Sequence, residues 1–243
     1  MLITLLLLAA FGYSVWWLLK MRLTVSPEEA LERGRAILNS KRVLFIVAHP
    51  DDADWWVSGT ARLFVLRGAE VGLVVASDGE KGRNLINAKN LAETRQTEQR
   101  EAAKVIGISK LWFLHLPDRE VAMQPGISRS LEEIIHEFEP DLIVTFDPSL
   151  PDLPYLHPDH EGIGRVVYSI WKENPGGAKL IFFHSRRPNI AVDITEVIET
   201  KVEALRKHRS QGLGRGGERN KEFHRAFGKR VGVPYAELFR EIK

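Results

Sequence analysis

The sequence predicts an α/β protein, a mostly parallel sheet with helices on both faces, preceded by one N-terminal transmembrane helix. Three observations carry that expectation. From residue 43 to residue 208, short β-branched and apolar runs alternate with longer helix-like stretches, the pattern of strands joined by crossover helices. The first strand-like run, Val43–Ala48, is apolar throughout, as a strand covered on both faces requires. Leu2–Leu19 is eighteen residues without a charge, about the length that crosses a bilayer core.

The N-terminal run ends in Tyr13, Trp16 and Trp17, followed by Lys20 and Arg22, residue types that suit a membrane interface. No basic residue follows Met1 and no small-residue cleavage site ends the run, so an uncleaved anchor over residues 1–22 is expected rather than a removed signal peptide. Lys20, Arg22, Arg33 and Arg35 all follow the span. That bias places the rest of a single-pass protein on the cytoplasmic side. Ser26-Pro27-Glu28-Glu29 reads as an N-cap, a first-turn Pro and two acids near the positive end of a helix. This helix, reaching about Asn39, is a linker over residues 23–40, and residues 41–243 form the main domain.

Within that domain the expected strands are Val43–Ala48, Val71–Ala76, Leu111–Leu116, Asp141–Phe146, Leu180–Phe183 and Ile190–Ile194. The expected helices are Ala53–Leu66, Leu91–Ile106 stopped by Gly107, Ser128–Phe138, His160–Lys172 and Thr195–His208. Gly212–Gly217 reads as a loop. Residues 201–230 carry ten Lys or Arg against three Glu, a local net of +7, read as a solvated helical face or a surface for anionic headgroups.

Composition narrows the chemistry. With 44% hydrophobic and 27% charged residues the chain is globular, and a net charge of +2 gives no reason to expect a nucleic-acid partner. There is no Cys, so disulfides and thiolate metal sites are excluded. Any metal is held by His and carboxylates.

In open Rossmann-like sheets ligands collect beyond the carboxyl ends of the strands, and the polar clusters fall there. The first strand ends in His49-Pro50-Asp51-Asp52, the second in Ser77-Asp78-Gly79-Glu80, and the third leads to His115 and Pro117-Asp118. The fourth leads through Asp147 to Tyr155-Leu156-His157-Pro158-Asp159-His160. Adjacent carboxylates repel unless a cation neutralises them. Two His three apart at a helix start share a face. Three His and Asp ligands with an open position describe a catalytic zinc centre, although two His and a carboxylate also suit ferrous iron. Spacing alone leaves open which of His157 and His160 is the ligand.

The motifs resemble the LmbE-like de-N-acetylase superfamily, which includes N-acetylglucosaminyl-phosphatidylinositol de-N-acetylase (PIG-L) and the mycothiol- and bacillithiol-pathway deacetylases. The resemblance rests on Ala48-His-Pro-Asp-Asp52 with Gly59-Thr60, Ser77-Asp-Gly-Glu80, Arg95-x-x-Glu98 with Ala102-Ala103 and Gly107, and Leu114-x-x-Pro117-Asp118. It continues through His157-Pro-Asp-His160, His208-Arg-Ser-Gln211 and Tyr235-Ala-Glu237, and so spans about Lys41 to Phe239. It implies that His49, Asp52 and His160 bind Zn2+, with Fe2+ as the alternative. It makes Asp51 the general base and His157 the group facing the oxyanion, with Tyr155 beside it and Asp159 orienting a His. Arg95 and Asp118 match sugar-contacting positions. The implied activity is removal of acetyl from an N-acetylglucosamine conjugate, expected to be lipid-linked and reached through the membrane anchor. A soluble amino-sugar conjugate, a phosphoesterase and a non-catalytic sugar-binding relative are the alternatives. Where the family usually has Glu after Asp-Asp and small Gly residues before Gly59, this chain has Ala53, Trp56 and Ser58. No metal role is expected for His115, His136, His184, His208 or His224.

Overall fold

The computed structural model of the chain describes residues 21–149, 158–174, 177–213 and 216–242. Residues 1–20, which hold nearly all of the expected transmembrane helix, lie outside the described residues, as do Tyr155 and His157. Among the described residues no helix is long and apolar enough to cross a membrane.

The elements follow in order as α1 (Pro27–Ile37), β1 (Arg42–Val47), α2 (Asp52–Trp56), α3 (Ser58–Leu66), β2 (Glu70–Ser77), α4 (Leu91–Ile106) and β3 (Lys110–Leu116). They continue as α5 (Ile127–Phe138), β4 (Leu142–Phe146), α6 (Pro158–Glu173), β5 (Lys179–Phe183), β6 (Ile190–Asp193), α7 (Ile198–Leu205), α8 (Gly217–Val231) and β7 (Ala236–Glu241). The sheet runs β3-β2-β1-β4-β5-β7-β6. Its first five strands are parallel, and β7 is antiparallel to both β5 and β6. The predicted mostly parallel sheet with helices on both faces is therefore present. Helices α3, α4, α7 and α8 form one connected group and α5 and α6 another.

Strand order places the site. The chain builds outward from β1 through β2 to β3, then returns to β4 on the other side of β1. At such a switch point the loops leaving two neighbouring carboxyl ends diverge and leave a crevice between them. Here β1 leads directly into His49–Asp52, and α6, which follows β4 in the chain, carries Asp159 and His160 in its first turn. The strands that hold them are rigid because they are packed on both faces: Phe45, Ile46, Val74 and Val144 are fully buried.

Two helical stretches differ from the sequence expectation. The stretch Ala53–Leu66 is two helices, broken at Val57, whose φ of −140° is not helical. The stretch Thr195–His208 opens with a single 3-10 turn, Thr195–Val197, and its α-helix stops at Leu205. Helix α8 and strand β7 were not anticipated at all. Their inward positions include Asn220, His224 and Glu237, polar side chains that blur an apolar repeat. Within the expected basic face over residues 201–230, Lys201 is the departure, being fully buried, while Arg206, Arg209, Arg219 and Lys229 are exposed.

The segment read as a linker packs into the body. Ser26 caps α1 by accepting the Glu29 N–H at 3.2 Å, and α1 lies against β6. A Cβ at Gly34 would stand 1.8 Å from the Ala191 carbonyl oxygen. Only glycine permits that approach.

Candidate metal centre

At the end of β1 the backbone turns sharply. Asp51 has φ +95°, a left-handed conformation that is uncommon for a residue with a side chain. Its surroundings hold it there. The Asp51 N–H donates to Gln99 Oε1 at 2.9 Å, and its carbonyl accepts the Trp55 N–H at 2.8 Å. Arg95, reaching up from α4, donates to the Pro50 carbonyl and, at 2.8 Å, to the Gly79 carbonyl, and its guanidinium lies 3.3 Å from Asp51 Oδ2. The turn sends neighbouring carboxylates in different directions: Asp51 toward Arg95, Asp52 toward two imidazoles.

Those imidazoles belong to His49 and His160. His49 Nδ1 and His160 Nε2 are 3.2 Å apart. Asp52 Oδ2 is 3.5 Å from the first and Asp52 Oδ1 is 3.0 Å from the second. Ligands at the usual zinc distances around a tetrahedral ion stand about 3.3–3.5 Å from one another, so one ion fits among these three donors. His160 is held flat against Phe146, ring centroids 4.0 Å apart and planes 10° from parallel.

The far side of His49 fixes its chemistry. Its Nε2 lies 3.1 Å from Asp118 Oδ1 and 3.2 Å from Asp159 Oδ2. A proton on Nε2 donated to these carboxylates leaves the Nδ1 lone pair for a metal, the usual arrangement behind a ligating His. Asp159 is itself fixed, accepting the Arg119 N–H at 2.6 Å and the Val121 N–H at 3.1 Å. His49, Asp118 and Asp159 also lie close enough together to be counted as a second cluster of metal-ligand types. These backbone bonds assign its carboxylates to orienting His49.

Burial and charge act against each other here. Burial lowers the His49 pKa, but Asp118, Asp159 and Asp52 outweigh it and hold the group well above the ordinary histidine value. Burial raises Asp52, and the attraction of His160 and His49 overrides it to leave the pKa well below the usual carboxylate range. Asp51 ends up raised: burial pushes it up, Asp52 adds to this, and Arg95 only partly opposes it.

Behind the loop lies a set of buried polar residues from the C-terminal third, none with a role assigned from sequence. Asp54 Oδ2 accepts from Gln99 Nε2 and from His208 Nε2, both at 2.9 Å. The Asp54 carbonyl accepts from Lys201 Nζ at 2.9 Å. Lys201 pairs with Glu237 at 2.9 Å, both fully buried, and Glu237 also accepts the Gly59 and Thr60 N–H groups at the start of α3. The Trp55 carbonyl accepts from Asn220 and His224 at 2.9 and 3.1 Å. The five-residue helix α2 thus has its last carbonyls satisfied by side chains far along the chain. His208-Arg-Ser-Gln211 and Tyr235-Ala-Glu237 were legible as motifs, whereas Asp54, two residues beyond Asp52, was not singled out. Nothing marked Lys201 among its basic neighbours.

Of the residues expected at the site, the structure brings His49, Asp51, Asp52, Asp159 and His160 together, with Arg95 and Asp118 immediately beneath them. Arg95 and Asp118 are 4% and 5% exposed, and Asp118 also accepts the Lys81 N–H at 3.0 Å. Trp56 packs against His184 with ring centroids 4.2 Å apart and planes tilted by 33°. Ser58 donates to the Asp54 carbonyl at 3.1 Å. The five His given no metal role belong to no metal-ligand cluster among the described residues.

A sequence model of the GlcNAc-PI de-N-acetylase family (PIG-L) matches residues 44–171. The chain is 28% identical over 224 residues to diacetylchitobiose deacetylase of Thermococcus kodakarensis, covering 83% of each chain. It is 32% identical over 191 residues to a probable N-acetyl-alpha-D-glucosaminyl L-malate deacetylase 2 of Bacillus subtilis, covering 72% of this chain and 85% of that one. Among solved structures, N,N'-diacetylchitobiose deacetylase from Pyrococcus horikoshii superposes with a TM-score of 0.76 at 28% identity, over 89% of this chain and 88% of the other.

Proposed function

We propose that this chain, which belongs to the GlcNAc-PI de-N-acetylase (PIG-L) family, is a metal-dependent amide hydrolase that removes acetyl from an N-acetylglucosamine conjugate. The observation that carries the reading is the convergence of His49 Nδ1, Asp52 and His160 Nε2 on one point, with the Asp51 carboxylate on the adjoining turn. Zn2+ suits this donor set, and Fe2+ is the alternative.

A bound divalent ion supplies Lewis-acid charge at the amide carbonyl and makes a water acidic enough to attack near neutral pH. The chain's own residues do the rest. Asp51 accepts the proton of the attacking water on its carboxylate and delivers a proton to the departing nitrogen. The C–N bond breaks, giving acetate and a free amine. Asp118 and Asp159 hold the His49 proton at Nε2 and so keep its Nδ1 lone pair directed at the ion. Arg95 and Asp118, expected as sugar contacts, take positioning roles beneath the loop. His157 and Tyr155 are assigned to the oxyanion by the motif they belong to.

The relatives bear names of diacetylchitobiose and N-acetylglucosaminyl-malate deacetylases, which favours a soluble amino-sugar conjugate as substrate. The apolar run Leu2–Leu19 favours a second reading, in which the same chemistry acts on a lipid-linked conjugate at the cytoplasmic face of a membrane that the run crosses.

The test incubates the zinc-loaded protein with diacetylchitobiose, N-acetylglucosaminyl-malate and N-acetylglucosaminyl-phosphatidylinositol and measures amine and acetate. Replacing His49, Asp52 or His160 by Ala removes bound metal and turnover together. Asp51→Asn keeps the metal and lowers turnover by on the order of 100-fold. Absence of amine from all three substrates, with metal bound, would refute the hydrolase reading.

A further inference from the structure

Among the described residues four large apolar side chains stand exposed: Leu66, Leu85, Ile86 and Met123. Singly exposed apolar residues are ordinary, so their placement is what matters. Three of the four lie on the loops leaving the carboxyl ends of β2 and β3, Leu85 61% and Met123 71% exposed. The two loops meet. The Lys81 N–H donates to the Asp118 carboxylate at 3.0 Å, and Lys81 Nζ donates to the Asp118 carbonyl at 2.7 Å. Asp118 in turn touches His49, so these apolar side chains rim the end of the sheet that holds the three-donor cluster.

The residues that follow the N-terminal apolar run in sequence, Met21 and Arg22, lie at the same end. Met21, the residue that follows Leu19-Lys20, lines a small pocket with Trp56, His184 and Leu238, and belongs to an apolar cluster with Phe227, Val231 and Leu238. Trp56 closes α2 directly after the metal loop, and His184 directly follows β5. The root is tied down: the Arg22 N–H donates to the Arg186 carbonyl at 2.9 Å, and Arg230 donates to the Met21 carbonyl at 2.9 Å. As a helix, the eighteen residues Leu2–Leu19 would measure about 27 Å, close to the hydrocarbon thickness of a bilayer. Exposed cations lie on both sides of the cleft. Arg22 and Arg187 flank the root, and Arg83, Lys89 and Arg119 stand on these loops, which also carry the exposed Glu80 and Glu120, the latter paired with Lys81 at 3.3 Å. Arg83, Lys89 and Arg119 have no carboxylate partner among the described residues.

We propose that the carboxyl edge of the sheet, with the catalytic cleft at its centre, rests on an anionic lipid bilayer. Leu85, Ile86 and Met123 insert at the boundary of headgroups and acyl chains, and the exposed Arg and Lys side chains face lipid phosphates. The proposal builds on the anchored reading above and adds an orientation to it. An anchor alone leaves the domain free to turn, whereas a second contact across the cleft holds its mouth against the surface. An amino sugar whose other end is embedded in lipid then reaches the metal loop without leaving the membrane.

The chain has no Cys, so single labelling sites are available in the full-length protein. Leu85→Cys, Met123→Cys and, as a control, Lys110→Cys at the amino end of β3 are each coupled to an environment-sensitive dye. Each is reconstituted with phosphatidylcholine–phosphatidylserine vesicles carrying doxyl-labelled lipid. The expected result is that the protein floats with the vesicles and that the dyes at 85 and 123 shift to the blue and are quenched, at an insertion depth of about 5–10 Å. The dye at 110 is unchanged. Flotation without quenching at 85 and 123 overturns this orientation and leaves the anchor standing, as does equal quenching at all three sites. Failure to float overturns the anchored reading and this one together, leaving the hydrolase reading to the soluble substrates.

Discussion

The buried pair Lys201–Glu237 offers the sharpest test of how the metal loop is held. Both side chains are fully buried and 2.9 Å apart. Burial lowers the Lys201 pKa, with Glu237 opposing it, and Glu237 is lowered because Lys201 and His224 override its own burial. Removing one partner leaves an uncompensated charge in the interior, a change that destabilises by about 3–5 kcal/mol. Lys201→Met leaves Glu237 with only the Gly59 and Thr60 N–H groups, and it also takes from the Asp54 carbonyl one of its two side-chain donors, leaving Ser58. Since 1 kcal/mol shifts the Tm of a domain this size by roughly 2–4 °C, the expected fall is about 6–20 °C. The double variant Lys201→Met/Glu237→Gln removes both charges and should recover a substantial part of the loss. Denaturant unfolding with an unchanged slope measures the difference, and zinc content of the folded fraction reports on the loop. A loss below about 1 kcal/mol for Lys201→Met, or no coupling in the double variant, refutes the reasoning.

Two further outcomes follow from the same buried network. Gln99→Glu sets a carboxylate against Asp54 and should lower turnover by on the order of 10–100-fold while the metal stays bound. Asp54→Asn in that background restores a donor–acceptor pair, with the carboxylate at position 99 still accepting the Asp51 N–H, so activity should return toward wild type, and a double variant no better than the single would count against the pairing. The second concerns pH. Burial, helped by Lys201, lowers the His224 pKa from 6.5 to about 4, so below the unfolded value the unfolded chain takes up a proton that the folded one refuses. Stability from this group is complete above pH 6.5, declines by about 1.4 kcal/mol per pH unit down to about pH 4, and is level below, a total of ~3 kcal/mol. Urea unfolding of wild type against His224→Gln across that window reads it directly, and parallel pH profiles for the two would show that His224 contributes nothing.

What was legible from sequence follows from how local each feature is. Val43–Ala48, Val71–Ala76 and Leu180–Phe183 are apolar runs whose burial is dictated by their own composition, and each is a strand within a residue or two of its expected limits. The sequence also determined that the polar clusters sit at strand ends, because an acid or His directly after a buried strand has nowhere else to go. His49-Pro-Asp-Asp52 and Asp159-His160 were found for that reason. Tertiary structure alone decided the rest. Which carboxylate serves an ion and which serves a histidine depends on the φ of Asp51 and on contacts from residues 95 and 99. Lys201 looks like any surface lysine in a basic run. It is a buried structural cation because Asp54 and Glu237, 147 and 36 residues away in sequence, meet it in the folded chain. Pairing over such separations leaves no periodic trace, since both partners are polar and neither adds to the apolar pattern that marks a core.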